Sequence, residues 1–179
     1  MQNDNELMKK AIAGNKAAFD EIVISHRKAA IVFAYSFVSD YGIAEDIVQD
    51  AFVKIYLQRA GYKLTYTFKT YLYTLIRNSS IDYLRAYKIR ATYLQGIQSK
   101  VHKQELSAEE AFLYENKYEE IAEVFNNLKG DYRTALYLYA VSECSYKDIA
   151  TIMKKTVAQT KITIHRARKK LQRLLEEKK

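Results

Sequence analysis

The chain contains no proline, no tryptophan, one cysteine and only five glycines among its 179 residues. Sandwiches and barrels need many tight turns, which normally draw on glycine and proline, so the shortage of both favours an all-α fold. The single cysteine, Cys144, excludes a disulfide framework within the chain. Three histidines far apart in sequence (His26, His102 and His165) provide no zinc cluster with it. We therefore expect no metal and no cofactor.

Long apolar runs are also missing. No stretch approaches the ~18 apolar residues that a membrane-spanning helix requires, and the N-terminal sequence MQNDNELMKK lacks the apolar core of a signal peptide. The chain has neither a glycine-rich phosphate loop nor a nucleophile elbow. We expect a cytoplasmic protein that does not insert into membranes and is not an enzyme.

Positive charge is abundant and unevenly distributed, with a net charge of +8. Residues 147–179 contain 11 Lys or Arg against 3 acids, and residues 59–90 contain 7 against 1. Between them, residues 105–125 contain 7 glutamates against 1 lysine. Two basic segments separated by an acidic one are typical of two contact surfaces for a polyanion. The alternative is that the basic residues only keep the helices soluble.

Apolar residues recur at helical spacing through most of the chain. The predicted helices span 5–40 (with a break at Gly14-Asn15), 43–58, 68–88, 108–128, 132–142, 146–153 and 157–175. Residues 89–107 are polar with little periodicity, which indicates a flexible linker. The pattern predicts two small helical domains, 1–88 and 108–179, on either side of this linker.

The segment SYKDIATIMKKTVAQTKITIHRARKKL, residues 145–171, predicts a short helix, a tight turn and a longer basic helix. This arrangement is typical of a helix-turn-helix, whose second helix enters the major groove of DNA. Gln159 can pair there with adenine, and Ile162 can contact a thymine methyl group. The turn has no glycine, so a lysine or threonine has to adopt any positive φ, at a cost on the order of 1 kcal/mol. An amphipathic hairpin with a solvated basic face is the alternative.

The segment FKTYLYTLIRNSSIDYLRAYKIR, residues 68–90, combines an apolar arc with an opposite arc that carries Arg77, Asn78, Arg85 and Lys88. Single-stranded nucleic acid suits this mixture, because bases stack on aromatic rings while cations follow the backbone. Aromatic residues at helical spacing are, however, more often part of a core.

The predicted helix at 43–58 exposes Asp46, Gln49 and Asp50 on the side opposite to its apolar residues. In a basic protein, such an acidic face suits binding to a positively charged partner. A merely solvated face is the alternative. Catalysis or metal binding by these carboxylates is disfavoured, because no histidine or third acid lies at ligand spacing.

Taken in order, the segments AEDIVQDAFVKIY, FKTYLYTLIRNSSIDYLR, SYKDIATI and IHRARKKL resemble the extracytoplasmic-function (ECF) class of bacterial RNA polymerase sigma factors. The resemblance covers residues 14–175. It implies two helical domains, region 2 and region 4, that bind core RNA polymerase and the minus-ten and minus-thirty-five promoter elements. Such a protein directs polymerase to specific promoters and assists promoter melting in transcription initiation. An anti-sigma factor is a common partner in that family.

The resemblance also implies three groups of site residues. The residues expected to bind core polymerase are Asp46, Gln49, Asp50 and Phe52. Those expected at the minus-ten element are Tyr62, Tyr66, Arg77, Asn78, Asp82, Arg85 and Lys88, of which Asn78, Asp82 and Arg85 match the family pattern N-x-x-x-D-x-x-R. Those expected at the minus-thirty-five element are Lys155, Gln159, Lys161, Ile162, Thr163, Arg166 and Lys170. Thr163 stands where the family tends to have a basic residue.

Two other functions remain open on the sequence. A helix-turn-helix transcriptional regulator that acts without polymerase would explain the C-terminal half but not the pattern of residues 42–90. An enzyme such as a nuclease would need the catalytic or metal motifs that the sequence lacks.

Overall fold

The computed structural model of the chain describes residues 4–62, 65–94, 127–128 and 130–177. All regular structure in these residues is helical, as predicted. The elements are α1 (Asp4–Ile12), α2 (Lys16–Val38), α3 (Tyr41–Leu57), a 3-10 turn (Arg59–Gly61), α4 (Phe68–Leu94), α5 (Gly130–Leu136) continued by a π-helical segment (Tyr137–Val141), α6 (Tyr146–Met153) and α7 (Val157–Glu176). The predicted helix at 108–128 lies, except for its last two residues, outside the described residues.

Side chains cap the first helices where the sequence predicts breaks. Gly14 has a φ of 98° in the turn after α1, and Asn15 then accepts a hydrogen bond from the amide of Ala18 at 3.1 Å. Asp40 does the same for the amide of Ile43 at 2.9 Å. Each cap pairs an amide that the first helical turn leaves without a partner. The predicted break at Gly14-Asn15 is confirmed.

Helix α4 extends six residues beyond the predicted end at residue 88, because the structure continues it to Leu94. Residues 89–94 contain no proline or glycine to end a helix. The side chains of residues 84–90 are exposed, so no apolar periodicity marked this turn as helical. The predicted end of this helix at residue 88 is therefore wrong, and the assignment of residues 89–107 to a linker between two domains stays a prediction.

Helices α1 to α4 form one bundle, here called the N-terminal bundle, in which α2 packs against α1, α3 and α4. Its core contains the fully buried side chains of Phe33, Phe68 and Ile76. Burying each of these side chains stabilises the fold by about 2 kcal/mol relative to exposure. The bundle thereby fixes which faces of α3 and α4 point outward.

Helices α5 to α7, with the π-helical segment, form the C-terminal bundle, in which α7 packs against α5 and α6. Ile149 and Ile152 of α6 meet Ile164 of α7 in its core, and all three are buried. Because this stripe of α7 is packed, its opposite face is held rigidly toward solvent.

The two bundles are in direct contact, which nothing in the sequence predicted. The hydroxyl of Tyr137 donates to the carbonyl oxygen of Ala29 at 2.7 Å, and its ring centroid lies 5.3 Å from that of Phe33. The hydroxyl of Ser142 donates to the hydroxyl oxygen of Tyr73 at 2.9 Å.

Two more hydrogen bonds cross between the bundles near the start of α4. The hydroxyl of Thr70 donates to a carboxylate oxygen of Asp148 at 2.8 Å. The ammonium of Lys69 donates to the carbonyl oxygen of Ser142 at 3.0 Å. We refer to these bonds and those of Tyr137 and Ser142 together as the inter-bundle contact.

Candidate nucleic-acid and protein interfaces

Helix α3 presents the predicted acidic face to solvent. Asp46, Gln49 and Asp50 are all exposed, whereas Phe52 is buried and lies edge-on to Phe19 with ring centroids 6.4 Å apart. Phe52 therefore supports the face from the core side. The three polar residues remain accessible to a partner.

An apolar groove lies beside this acidic face, between α2 and α3. It has a volume of about 470 Å³, and Leu57 and Val53 on its wall are 72% and 50% exposed. Arg27 pairs with Glu45 at its rim. Sequence reasoning missed the groove, although Val53 and Leu57 are one helical turn apart and off the core stripe, which was the available signal. Exposed apolar side chains beside an acidic face form a surface suited to binding a basic protein.

The predicted minus-ten residues on α4 are accessible in the structure. Arg77 and Asn78 are partly exposed, and Asp82, Arg85 and Lys88 are exposed. Arg85 pairs with Asp82 at 3.2 Å, with both side chains more than 70% exposed. An exposed pair of this kind contributes about 0–1 kcal/mol. Arg85 can therefore exchange its partner for a phosphate at little cost.

Tyrosines flank this polar row on both sides. Tyr62 packs against Tyr71 with ring centroids 5.6 Å apart, its hydroxyl donates to the carbonyl oxygen of Tyr66 at 3.3 Å, and burial raises the pKa of Tyr62 to about 12. The ring of Tyr66 is half exposed.

A second aromatic pair stands farther along α4. Tyr83 and Tyr87 are stacked with centroids 6.2 Å apart and planes 24° apart. The sequence pattern did not single out this pair, although its i, i+4 spacing was visible. The face therefore offers ring surfaces as well as cations, the combination that binds unpaired bases.

Helices α6 and α7 form the predicted helix-turn-helix. Ser145 caps α6, and Lys154 ends it in the left-handed conformation with a φ of 54°, as expected for a turn without glycine. Thr156 then caps α7, and the backbone amide of Thr156 in turn donates a hydrogen bond to the side-chain oxygen of Gln159, which completes a capping box. The turn is therefore only three residues long and firmly closed at both ends.

The outward face of α7 carries most of the predicted duplex-binding residues. Gln159, Lys161, Ile162, Arg166 and Lys170 are exposed, and Ile162 is 51% exposed. A cationic helix face with one apolar side chain at its centre fits a major groove, where phosphates flank thymine methyl groups.

Two predicted residues, Thr163 and Lys155, are less available to DNA than the others. Thr163 is only 8% exposed, and its hydroxyl donates to the carbonyl oxygen of Gln159 at 2.8 Å. Thr163 lies three residues after Thr160 and four before Ala167, which are both buried, so it belongs to the same buried stripe of α7. It therefore faces the core of the bundle and not the side of α7 predicted to contact DNA. Lys155 pairs with Asp131 at 2.8 Å, which leaves its charge partly neutralised.

Gln159 is also more constrained than the sequence indicated. Its amide oxygen accepts a hydrogen bond from the backbone amide of Thr156 at 2.9 Å. A bidentate contact with adenine needs both this oxygen and the side-chain NH₂ group. Reading adenine in that way would break the capping box of α7.

The part of the chain that the structure describes contains neither a candidate metal site nor a candidate membrane span. No cluster of three or more His, Cys, Asp or Glu side chains in that part of the chain is arranged to hold a metal ion. Nor does any helix in it have the length and apolar character needed to cross a bilayer.

The comparisons with known proteins give one family. The models described as "Sigma-70 region 2" and "Sigma-70, region 4" match residues 22–89 and 118–171. The RNA polymerase sigma-H factor of Pseudomonas aeruginosa is 29% identical over 98% of this chain and 95% of that protein. The ECF RNA polymerase sigma factor SigM of Bacillus subtilis is 29% identical over 87% and 93%, respectively. The solved sigma factor RpoE of Bartonella quintana, in complex with the anti-sigma factor NepR, matches with a TM-score of 0.72 and 26% identity, over 88% of this chain and 96% of that one.

Proposed function

Because this chain belongs to the ECF class of RNA polymerase sigma factors, we propose that it binds core RNA polymerase, directs it to specific promoters and assists their melting. The N-terminal bundle corresponds to region 2 and the C-terminal bundle to region 4. One observation carries the proposal. The N-terminal bundle has an acidic face with an apolar groove and a separate basic face with exposed aromatic rings. The C-terminal bundle contains a capped helix-turn-helix.

Polymerase binding is assigned to the outer face of α3 and the adjoining groove. Asp46, Gln49 and Asp50 supply the exposed polar contacts, and Leu57 supplies apolar area. Negative charge here is complementary to a basic partner and unsuited to DNA, so the face separates the protein contact from the nucleic-acid contacts.

The melted minus-ten strand is assigned to α4 and the tyrosines beside it. Asn78 can hydrogen-bond an unpaired base, while Arg77, Arg85 and Lys88 follow the phosphates. Opening a duplex costs a few kcal/mol per unstacked base. Stacking on an aromatic ring returns roughly 1–3 kcal/mol per base, so the exposed ring of Tyr66 can help to hold the strand open.

The minus-thirty-five duplex is assigned to the outward face of α7. Lys161, Arg166 and Lys170 lie near phosphates in this arrangement, and Ile162 is the side chain that reaches a base edge. The set omits Thr163, which is buried.

The protein itself supplies no catalytic step in this proposal and acts on polymerase in the cytoplasm. An anti-sigma factor is a further partner, in keeping with the solved relative that is bound to one.

A transcription assay tests the proposal. Core polymerase lacking any sigma factor is mixed with the purified chain and sheared chromosomal DNA of the source bacterium, and the start sites of the transcripts are mapped. We expect a small set of defined start sites that share two upstream elements. A regulator that acts without polymerase would instead bind duplex fragments alone and leave transcription by core polymerase unchanged, and that result would refute the proposal.

A further inference from the structure

The first two turns of α7 present an apolar strip to solvent. Its members, Ala158 and Ile162, are both exposed, and Ile162 is 51% exposed. They are four residues apart and therefore lie on the same face of the helix, one turn from each other. The N-terminal turns of a recognition helix are the part that meets base edges. The apolar strip thus lies where the helix reads sequence.

The neutral polar side chains in these turns are already engaged within the protein. The side-chain oxygen of Gln159 accepts from the amide of Thr156 at 2.9 Å. The hydroxyl of Thr160 donates to the carbonyl oxygen of Thr156 at 2.9 Å, and that of Thr163 donates to the carbonyl oxygen of Gln159 at 2.8 Å. Both of these threonines are buried. None of these side chains therefore offers a base the paired donor and acceptor that bidentate readout needs.

Basic residues beside the apolar strip suit it to a major groove. Lys161, Arg166 and Lys169 are all exposed on α7. The ammonium of Lys161 lies 5.7 Å from the ring centroid of Tyr146 on α6, which places its charge beside the strip and toward α6. Phosphates flank the bases of the groove, so cations in these positions hold the strip against base edges. The apolar group that a base presents there is the C5 methyl group of thymine.

We propose that Ile162, together with Ala158, determines specificity by recognising C5 methyl groups in the minus-thirty-five duplex. The inference rests on the proposed function and names the chemical group that this face of α7 reads. Four residues of an α-helix rise about 6 Å, which is close to two base-pair steps of ~3.4 Å. The two side chains therefore meet methyl groups about two base pairs apart, and the element has thymine at these positions.

Replacement of thymine by deoxyuridine tests the proposal, because the two pair identically with adenine and differ only in the C5 methyl group. The probe is a promoter fragment identified by the start-site mapping described above, bound by core polymerase and the full chain. Each thymine of its minus-thirty-five element is replaced singly. Because burial of one methyl group is worth a factor of about four in affinity, we expect that loss at one or two positions and no loss at the others.

Ile162→Ser tests the residue at an exposed position. This variant should bind the thymine fragment about fourfold more weakly than wild type and no longer distinguish thymine from deoxyuridine at one position. Ile162→Val keeps an apolar contact and should keep the distinction. Leu175→Ser makes a similar change at another exposed apolar residue of α7 and should leave it unchanged. The ratio of the two affinities is measured within each variant, so partial unfolding does not alter it.

A second substitution separates recognition of the methyl group from an effect of duplex shape. At the position that responds to deoxyuridine, cytosine is compared with 5-methylcytosine, which carries its methyl group at the same place in the groove. Methylation should raise the affinity of wild type by about fourfold and that of Ile162→Ser not at all. If methylation has no effect on wild type, the response to deoxyuridine reflects duplex stiffness, and the proposal is overturned.

Other results also overturn the proposal. An element without thymine, or equal affinity for thymine and deoxyuridine at every position, means that no methyl group is recognised. A distinction that persists in Ile162→Ser is not made by Ile162. If core polymerase with the chain gives no defined start site, the proposed function is wrong. The same comparison is then made on duplexes that the chain alone selects from a random pool, where equal affinity or no selection would overturn methyl recognition as well.

Discussion

The cap of α7 allows a quantitative prediction. Thr156→Ala removes the side-chain oxygen that accepts from the amide of Gln159 at 3.1 Å and so breaks one of the two hydrogen bonds of the capping box. Loss of an N-cap threonine costs about 1 kcal/mol, within a range of 0.5–2 kcal/mol. For a chain of this length, about 1 kcal/mol lowers the melting temperature by roughly 2–4 °C.

Thermal melting followed by circular dichroism measures this loss, and Thr156→Ser is the matched control. Serine retains the capping oxygen, so its melting temperature should stay within about 1 °C of wild type. The affinity for minus-thirty-five duplex should fall by about fivefold in the alanine variant and return in the serine variant, because a frayed first turn no longer orients Ile162. If alanine and serine melt at the same temperature, the capping box does not hold the recognition helix.

Further predictions follow from the proposed interfaces. Asp50→Lys should weaken binding to core polymerase by about tenfold or more. Glu21→Lys on α2 makes the same change of charge and should leave this affinity unchanged. If both variants lose affinity equally, the effect is one of net charge and not of the α3 face. Asn78→Ala should slow open-complex formation more than it weakens polymerase binding. Open complexes are detected by the permanganate reactivity of unpaired thymines. If open-complex formation and polymerase binding fall equally, Asn78 does not contact the melted strand. Arg166→Ala should lower duplex affinity and reduce the slope of log affinity against log salt by about one, and an unchanged slope would mean that Arg166 contacts no phosphate.

The sequence predicted the helices well where apolar residues face a core. The periodicity of α2 and α3 and the capping residues Asn15, Asp40 and Ser145 were all visible in it. The end of α4 was not visible in the sequence. Without a glycine or proline, a stretch of exposed polar residues can be helical or not, so it does not mark where a helix ends.

The candidate site was predicted less completely, since partners distant in sequence decide burial. Thr70 is buried by α6 through its bond to Asp148, a partner 78 residues away that no local pattern in α4 could indicate. Thr163 was placed at the DNA by resemblance, whereas its position four residues before Ala167 puts it on the packed stripe. The roles of the exposed residues in binding polymerase and DNA stay predictions until the variants are measured.

The π-helical segment at Tyr137–Val141 explains how one helix contacts two sites on its neighbour. The amide of Ser142 donates to the carbonyl oxygen of Tyr137 at 3.0 Å, a span of five residues, so these two positions are separated by nearly one full turn. In a regular α-helix, a five-residue step would rotate the second position about 140° farther around the axis. If the same residues adopted regular α-helical geometry, the Ser142 hydroxyl would therefore swing away from Tyr73 while Tyr137 stayed in place. The wider helical step of one short segment thus decides the phase in which two halves of the molecule meet.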